Sequence, residues 1–187
     1  MSNANSKVQP VSLRQADKVK WITVTGLFLA MTIIISSSVF SIPVPGGHLY
    51  LCDVIIATAA LLLDPVAAFA VGGIGSFLGD LLFYPAPMFV SLVTHGLQAV
   101  VISLIAHSSF ARGSEKKHFI AALIGTLIGA VIMVVGYTLG KIYVYSTFEY
   151  AMLKLPYEIA QGLLGVIGSL LLYFKAGIGK LFRRIYS

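Results

Sequence analysis

Apolar runs of membrane-crossing length alternate along this chain with short polar or Pro/Gly-broken stretches. The first run, 21–42, exceeds the roughly 20 residues that cross a hydrocarbon core of about 30 Å at about 1.5 Å per residue. It is too long for the apolar region of a signal peptide, and no small-x-small cleavage site follows. It reads as a first transmembrane helix with Trp21 as an interfacial anchor. Residues 54–63 are apolar but short for a full span, and Asp64-Pro65 punctuates them with a cap and a first-turn proline. A third helix follows over 65–83, rich in Gly72, Gly73, Gly75, Ser76 and Gly79, whose small size lets membrane helices approach closely. Tyr84-Pro85-Ala86-Pro87 breaks the chain before a fourth helix over 88–106. A polar loop over 107–118 leads to a fifth helix over 119–143. An aromatic, mixed-charge connection over 143–155 leads to a sixth helix from near Pro156 to near Phe174. The pattern is that of an all-α integral membrane domain of six transmembrane helices over 20–187, behind a polar cytoplasmic tail over 1–19.

The break between the first two runs is unusual. Residues 42–53 read Ile-Pro-Val-Pro-Gly-Gly-His-Leu-Tyr-Leu-Cys-Asp, and their prolines and paired glycines stop both flanking helices. The segment nevertheless carries His48, Tyr50 and Asp53 in a chain with few polar residues to place. This pattern predicts a cover over a small-molecule site, a lid of Pro45, Gly46 and Gly47 with Gly46-Gly47 as its flexible point.

Composition supports the membrane reading. Of the 187 residues, 58% are hydrophobic and 11% charged, with a mean hydropathy of +0.92; soluble domains carry about 25% charge. The net charge of +6 is placed by topology, because eleven of the thirteen Lys and Arg fall in the two tails and the 107–118 loop. Six spans put these on one side, which the positive-inside rule makes cytoplasmic, next to anionic lipid. Nucleic acid is therefore not an expected partner. The single cysteine, Cys52, excludes an internal disulfide and a cysteine-pair metal site, and reads as a small apolar filler. Lys141 and Lys154 read as helix-end side chains snorkelling to the interface, and Tyr143, Tyr145 and Tyr150 as an aromatic belt.

Ionisable groups within hydrocarbon are costly and mark function by default. Asp53, Asp80, His95, Gln98, Glu158 and Gln161 fall near the outward helix ends, where they could converge on one cavity beneath the 42–53 segment. His95 and Gln98 share a helix face, as do Glu158 and Gln161. Most also have a structural reading: Asp53 as a helix cap, Asp80 in interhelical pairing, His95 as a satisfied packing histidine, Gln98 as an interhelical hydrogen-bond partner and Glu158 as a solvated first-turn carboxylate. No catalytic constellation, metal-ligand pattern or phosphate-binding loop of the Gly-x-x-x-x-Gly-Lys type stands out. Neither enzymatic activity, cofactor nor metal is expected.

The Ile-Pro-x-Pro-Gly-Gly-x-x-x-Leu-x-Asp segment, the glycine-rich run from Gly72 to Asp80 and the stretch from Pro156 to Gln161-Gly162 together resemble the S components of energy-coupling factor (ECF) vitamin transporters. At the position of Glu158 that family often carries asparagine. The resemblance implies a substrate-binding subunit in the bacterial cell membrane. Such a subunit binds a small water-soluble vitamin and works with a transmembrane coupling protein and two cytoplasmic ATPases. It implies a first outer loop closing over the substrate, and docking to the coupling protein through small residues of the first helix. Gly26 and Ala30 have the family's docking spacing, with glycine in place of the first alanine. A carboxylate at 158 favours ligand donors or a cationic ring nitrogen and disfavours an anion. That bias points to pyridoxine or hydroxymethylpyrimidine, with pantothenate and riboflavin as the other family substrates. A small membrane enzyme using Asp80 or His95 and a membrane assembly protein without a ligand are the readings from other classes.

Overall fold

The computed structural model describes residues 17–37, 40–45 and 47–186, with side chains up to Arg184. Most of the N-terminal tail and Gly46 lie outside the described residues. Helix α1 spans Lys18–Ile35 under an Asp17 cap, whose carboxylate accepts from the Val19 and Lys20 N–H groups at 3.1 Å. It stops well before the expected residue 42, because Ile42 belongs to a strand. Strands β1 (Ile42–Val44) and β2 (Gly47–Leu49) pair antiparallel, with Pro43 opposite His48. Gly47 closes the hairpin at φ 136°, a conformation that side-chain-bearing residues rarely adopt.

Helix α2, Cys52–Leu62, has 11 residues and so rises only about 16 Å, half a hydrocarbon core. It is also the most enclosed helix, with nine of those residues buried. Its far end is secured where Ser103 Oγ donates to Leu63 O at 2.7 Å. Helix α3 runs over Pro65–Phe83, with one wide π turn at Ala70–Ile74. Asp64 caps it as the sequence suggests, accepting from Val66 N at 3.0 Å and Ala67 N at 3.3 Å. The second Asp64 oxygen accepts from Trp21 Nε1 at 2.5 Å, so the Trp21 indole ties α1 to the α2–α3 turn.

Helix α4 is Met88–Ala106, and α5 is Glu115–Gly140 continued by a π turn at Lys141–Tyr145. Helix α6 is Phe148–Leu170, continued by a π turn at Leu171–Lys175. Its start corrects the expected connection over 143–155. Thr147 caps the helix by accepting from Tyr150 N at 3.3 Å, and Pro156 lies inside it. Neighbouring helices make such a proline tolerable, since they and polar side chains can satisfy the freed backbone. A last helix, α7, covers Ile178–Tyr186 after Gly177, whose φ is 78°.

Helices α1, α3, α4, α5 and α6 are long and apolar enough to cross a membrane. They surround α2: α4 packs between α3 and α5, α6 against α5 and α2, and α1 against α3 and α2. Small residues set these approaches. A Cβ on Gly72 would come within 2.6 Å of His95 O, one on Gly136 within 2.6 Å of the Thr94 side chain, and one on Gly165 within 2.8 Å of Asp53 Cβ. Large side chains such as Leu82, Phe89, Val93, Leu104 and Val131 stay exposed on the periphery, as lipid contact requires.

Gly72→Ala should destabilise the folded protein by about 1–3 kcal/mol through overpacking against the α4 backbone. Gly26→Ala should not destabilise and should gain up to about 1 kcal/mol from helix propensity, since nothing lies within 4 Å of its added methyl. Thermal unfolding of both variants in detergent measures the contrast.

Candidate functional site

Because α2 is much shorter than its neighbours, the bundle is incomplete at the hairpin end. A cavity of about 410 Å³ occupies that space. Its wall draws on the end of α1, on β2 and on every helix from α2 to α6. The volume falls within the range of about 300–1,000 Å³ seen for small-molecule pockets.

Four of the residues singled out in the sequence hold the hairpin and its support together. Asp53 is 1% exposed, and its carboxylate accepts two side-chain amides: Gln98 Nε2 at 2.8 Å on one oxygen and Gln161 Nε2 at 2.7 Å on the other. Gln161 Oε1 is thereby turned to the hairpin, where it accepts from Tyr50 N at 2.9 Å. Gln98 Oε1 meets His95 Nδ1 at 2.6 Å. An acceptor-only carboxylate orients both amides, so their carbonyls face His95 and the hairpin. Asp53 is not the cap: the cap position is Leu51, without a side-chain bond.

The cavity wall contains His48, Tyr50, Asp80, His95, Glu158 and Gln161, whereas Asp53 and Gln98 stand behind it as supports. Asp80 accepts from Ser91 Oγ, which in turn lies 2.5 Å from Tyr137 OH. With Ser91 donating to Asp80, Tyr137 donates to Ser91. Burial, reinforced by Asp80, raises the Tyr50 phenol above its ordinary pKa and keeps it a hydroxyl.

Lys141 and Lys154 correct the snorkelling expectation. Lys141 is 3% exposed, forms a buried ion pair with Glu158 and lies 5.1 Å from the Tyr137 ring centroid. Lys154 is also buried, and Nζ donates to His48 O at 3.0 Å. Glu158 is thus an interior ion-pair member rather than a solvated first-turn carboxylate. Of the expected belt, Tyr143 is exposed, but Tyr145 and Tyr150 line the cavity with Tyr50, Tyr84, Tyr137 and Tyr157. Sequence reasoning missed Ser76 and every one of these inward tyrosines except Tyr50 as wall residues. The available signal was helical spacing: Tyr137 and Lys141 are four apart, as are Tyr150 with Lys154 and Lys154 with Glu158.

Cys52, Asp53 and His95 place possible metal-ligand atoms within 4.8 Å of one another. Both Asp53 oxygens and His95 Nδ1 are already engaged by glutamine side chains, so this group is organised for hydrogen bonding.

Comparison with known proteins adds three likenesses. The model of a family described as the ECF-type riboflavin transporter, S component, matches residues 16–177. An uncharacterized protein in the gap 3′ region of Pyrococcus woesei is 30% identical over 149 residues, 78% of this chain and 95% of that one. A solved structure titled "Structure and mechanism of the S component of a bacterial ECF transporter" matches with a TM-score of 0.68 at 17% identity. The match covers 86% of this chain and 97% of that one, and it shows a common fold.

Asp53→Asn should misorient one glutamine, because the new amide offers only one acceptor oxygen. The expected cost is about 1.5–3 kcal/mol, the scale of a hydrogen bond to a charged group. Proteolysis in the 42–50 hairpin should accelerate as the Gln161 contact loosens, and a cleavage time course measures it.

Proposed function

The chain belongs to the family of ECF-type riboflavin transporter S components, and on that basis we propose that it captures an uncharged, hydroxyl-bearing aromatic vitamin in the cavity beneath its hairpin. S components are substrate-binding transporter subunits rather than enzymes, and this one is a multi-pass membrane protein. The observation that carries the ligand reading is the charge balance of the wall. Asp80 and Glu158 are matched by Lys141 and Lys154, amid six tyrosines. A neutral pocket of this kind favours a neutral ring that stacks and hydrogen-bonds.

Pyridoxine or hydroxymethylpyrimidine is the first form of this reading. Neither needs a counter-charge, and each offers hydroxyl donors. Pairing with Lys141 removes the bias toward a cationic ring that an isolated Glu158 would create. Riboflavin is the second form, favoured by the family model and by a cavity of about 410 Å³, which a single ring would leave partly to water. Pantothenate, an anion, fits the balanced charge less well.

Six spans, counting α2, with both termini cytoplasmic, are supported by the placement of Lys18, Lys20, Arg112, Lys116, Lys117, Lys175 and Arg183 away from the hairpin end. The hairpin then faces outward as a lid, with Pro45 and Gly47 at its tip and with Lys154 and Gln161 holding β2 and the Tyr50 backbone from α6. Gly26 and Ala30 are both exposed on α1, and nothing lies within 4 Å of a Cβ at Gly26. This bare strip suits docking to a transmembrane coupling protein, with transport driven by two partner ATPases.

Protein purified from its native membrane should release one of these vitamins to mass spectrometry. Absence of any retained or displaceable vitamin at micromolar concentration would remove the reading. Gly26→Leu should reduce copurification with the coupling protein and vitamin uptake by about tenfold or more. Vitamin binding by the isolated subunit should stay unchanged, because the substitution lies on the outside of α1.

A further inference from the structure

Two buried side-chain oxygens among the described residues have no hydrogen-bond partner: Ser76 Oγ and Glu158 Oε2. Both residues line the cavity. The contrast with neighbouring hydroxyls is direct. Thr25, Thr32, Ser36, Thr58 and Thr126 each donate to the carbonyl four residues earlier. Ser76, immediately beyond the wide turn at Ala70–Ile74, makes no such bond. Wide turns of this kind recur at functional sites. Glu158 spends one oxygen on Lys141 and keeps the other free. A buried oxygen without a partner is costly unless something else satisfies it.

Resting on the vitamin-binding reading above, we propose that Ser76 Oγ and Glu158 Oε2 are the two polar anchors of the bound ligand. The ligand meets Glu158 with an uncharged O–H or N–H donor rather than with a cation. Lys141 already neutralises Glu158, and Lys154 stands one turn away on the same helix face. A cationic ligand at Oε2 would therefore face two ammonium groups. An uncharged donor completes the carboxylate's hydrogen bonding without that repulsion. Ser76, on α3, accepts from or donates to a second polar group of the same molecule, which fixes the orientation of its ring between the tyrosines.

The test uses the full chain in lipid nanodiscs. Pyridoxine, hydroxymethylpyrimidine and riboflavin serve as uncharged probes, and thiamine as a permanent cation. Wild-type protein should bind at least one uncharged probe and bind thiamine about 100-fold more weakly. Ser76→Ala should weaken the uncharged probe about tenfold, the scale of one hydrogen bond. The double variant Lys141→Met with Glu158→Met should weaken it by at least about tenfold. Replacing both charges with apolar residues of similar length avoids leaving an unpaired buried ion, so that variant retains its fold. Binding within twofold of wild type in either variant, or thiamine binding as tightly as the uncharged probe, overturns the anchors. Wild-type protein that binds none of the uncharged probes overturns the vitamin-binding reading itself, and the anchors with it.

Discussion

A single carboxylate, that of Asp53, is the interaction on which the site depends. It accepts one amide from α4 and one from α6, and Gln161 extends the chain to the backbone of Tyr50. Three helices and the hairpin are thus registered by hydrogen bonds that meet at one buried residue. Removing one member of such a network leaves the others unsatisfied in low dielectric, which is why its influence exceeds that of any one bond. Gly165 is equally bound to it, because only a residue without Cβ lets α6 approach the Asp53 side chain.

The short α2 sets a cavity beside that network. A full second span would have filled the bundle; an 11-residue helix leaves its hairpin end open, and the side chains of the longer helices converge there. Glycines at the α3–α4 and α4–α5 contacts keep the remaining helices close, so the opening is local. The architecture combines a tightly packed lower half with a cavity capped by a hairpin of three-residue strands.

Electrostatics follow the same division. At the hairpin end, the lysines are drawn inward: Lys141 onto Glu158, and Lys154 onto the His48 carbonyl. Elsewhere the basic residues remain on the outside, including Lys116, Arg183 and Arg184. The same residue type therefore balances charge within the cavity and stays exposed outside it. A neutral cavity interior in a basic protein is the result.

Much of this was legible from sequence. Apolar run length and the breakers Asp64-Pro65 and Pro85-Ala86-Pro87 located α3 and α4, because bilayer thickness and proline geometry act locally. Spacing of three put His95 and Gln98 on one face, and they are in contact. Local signals failed where a distant partner decided the outcome. The end of α1 depended on strand pairing, and the continuation of α6 through Pro156 on its packing against α5 and α2. Whether a lysine reaches out to the interface or inward to a carboxylate depends on what the neighbouring helix presents. Whether a tyrosine faces lipid or the cavity depends on how the helix is rotated. The sequence by itself determined a membrane bundle with polar groups near one end. Which of them form the wall, which support it and, among the described residues, which two oxygens remain free was settled only by tertiary structure, because hydrogen bonds and ion pairs form through space between helices far apart in the chain.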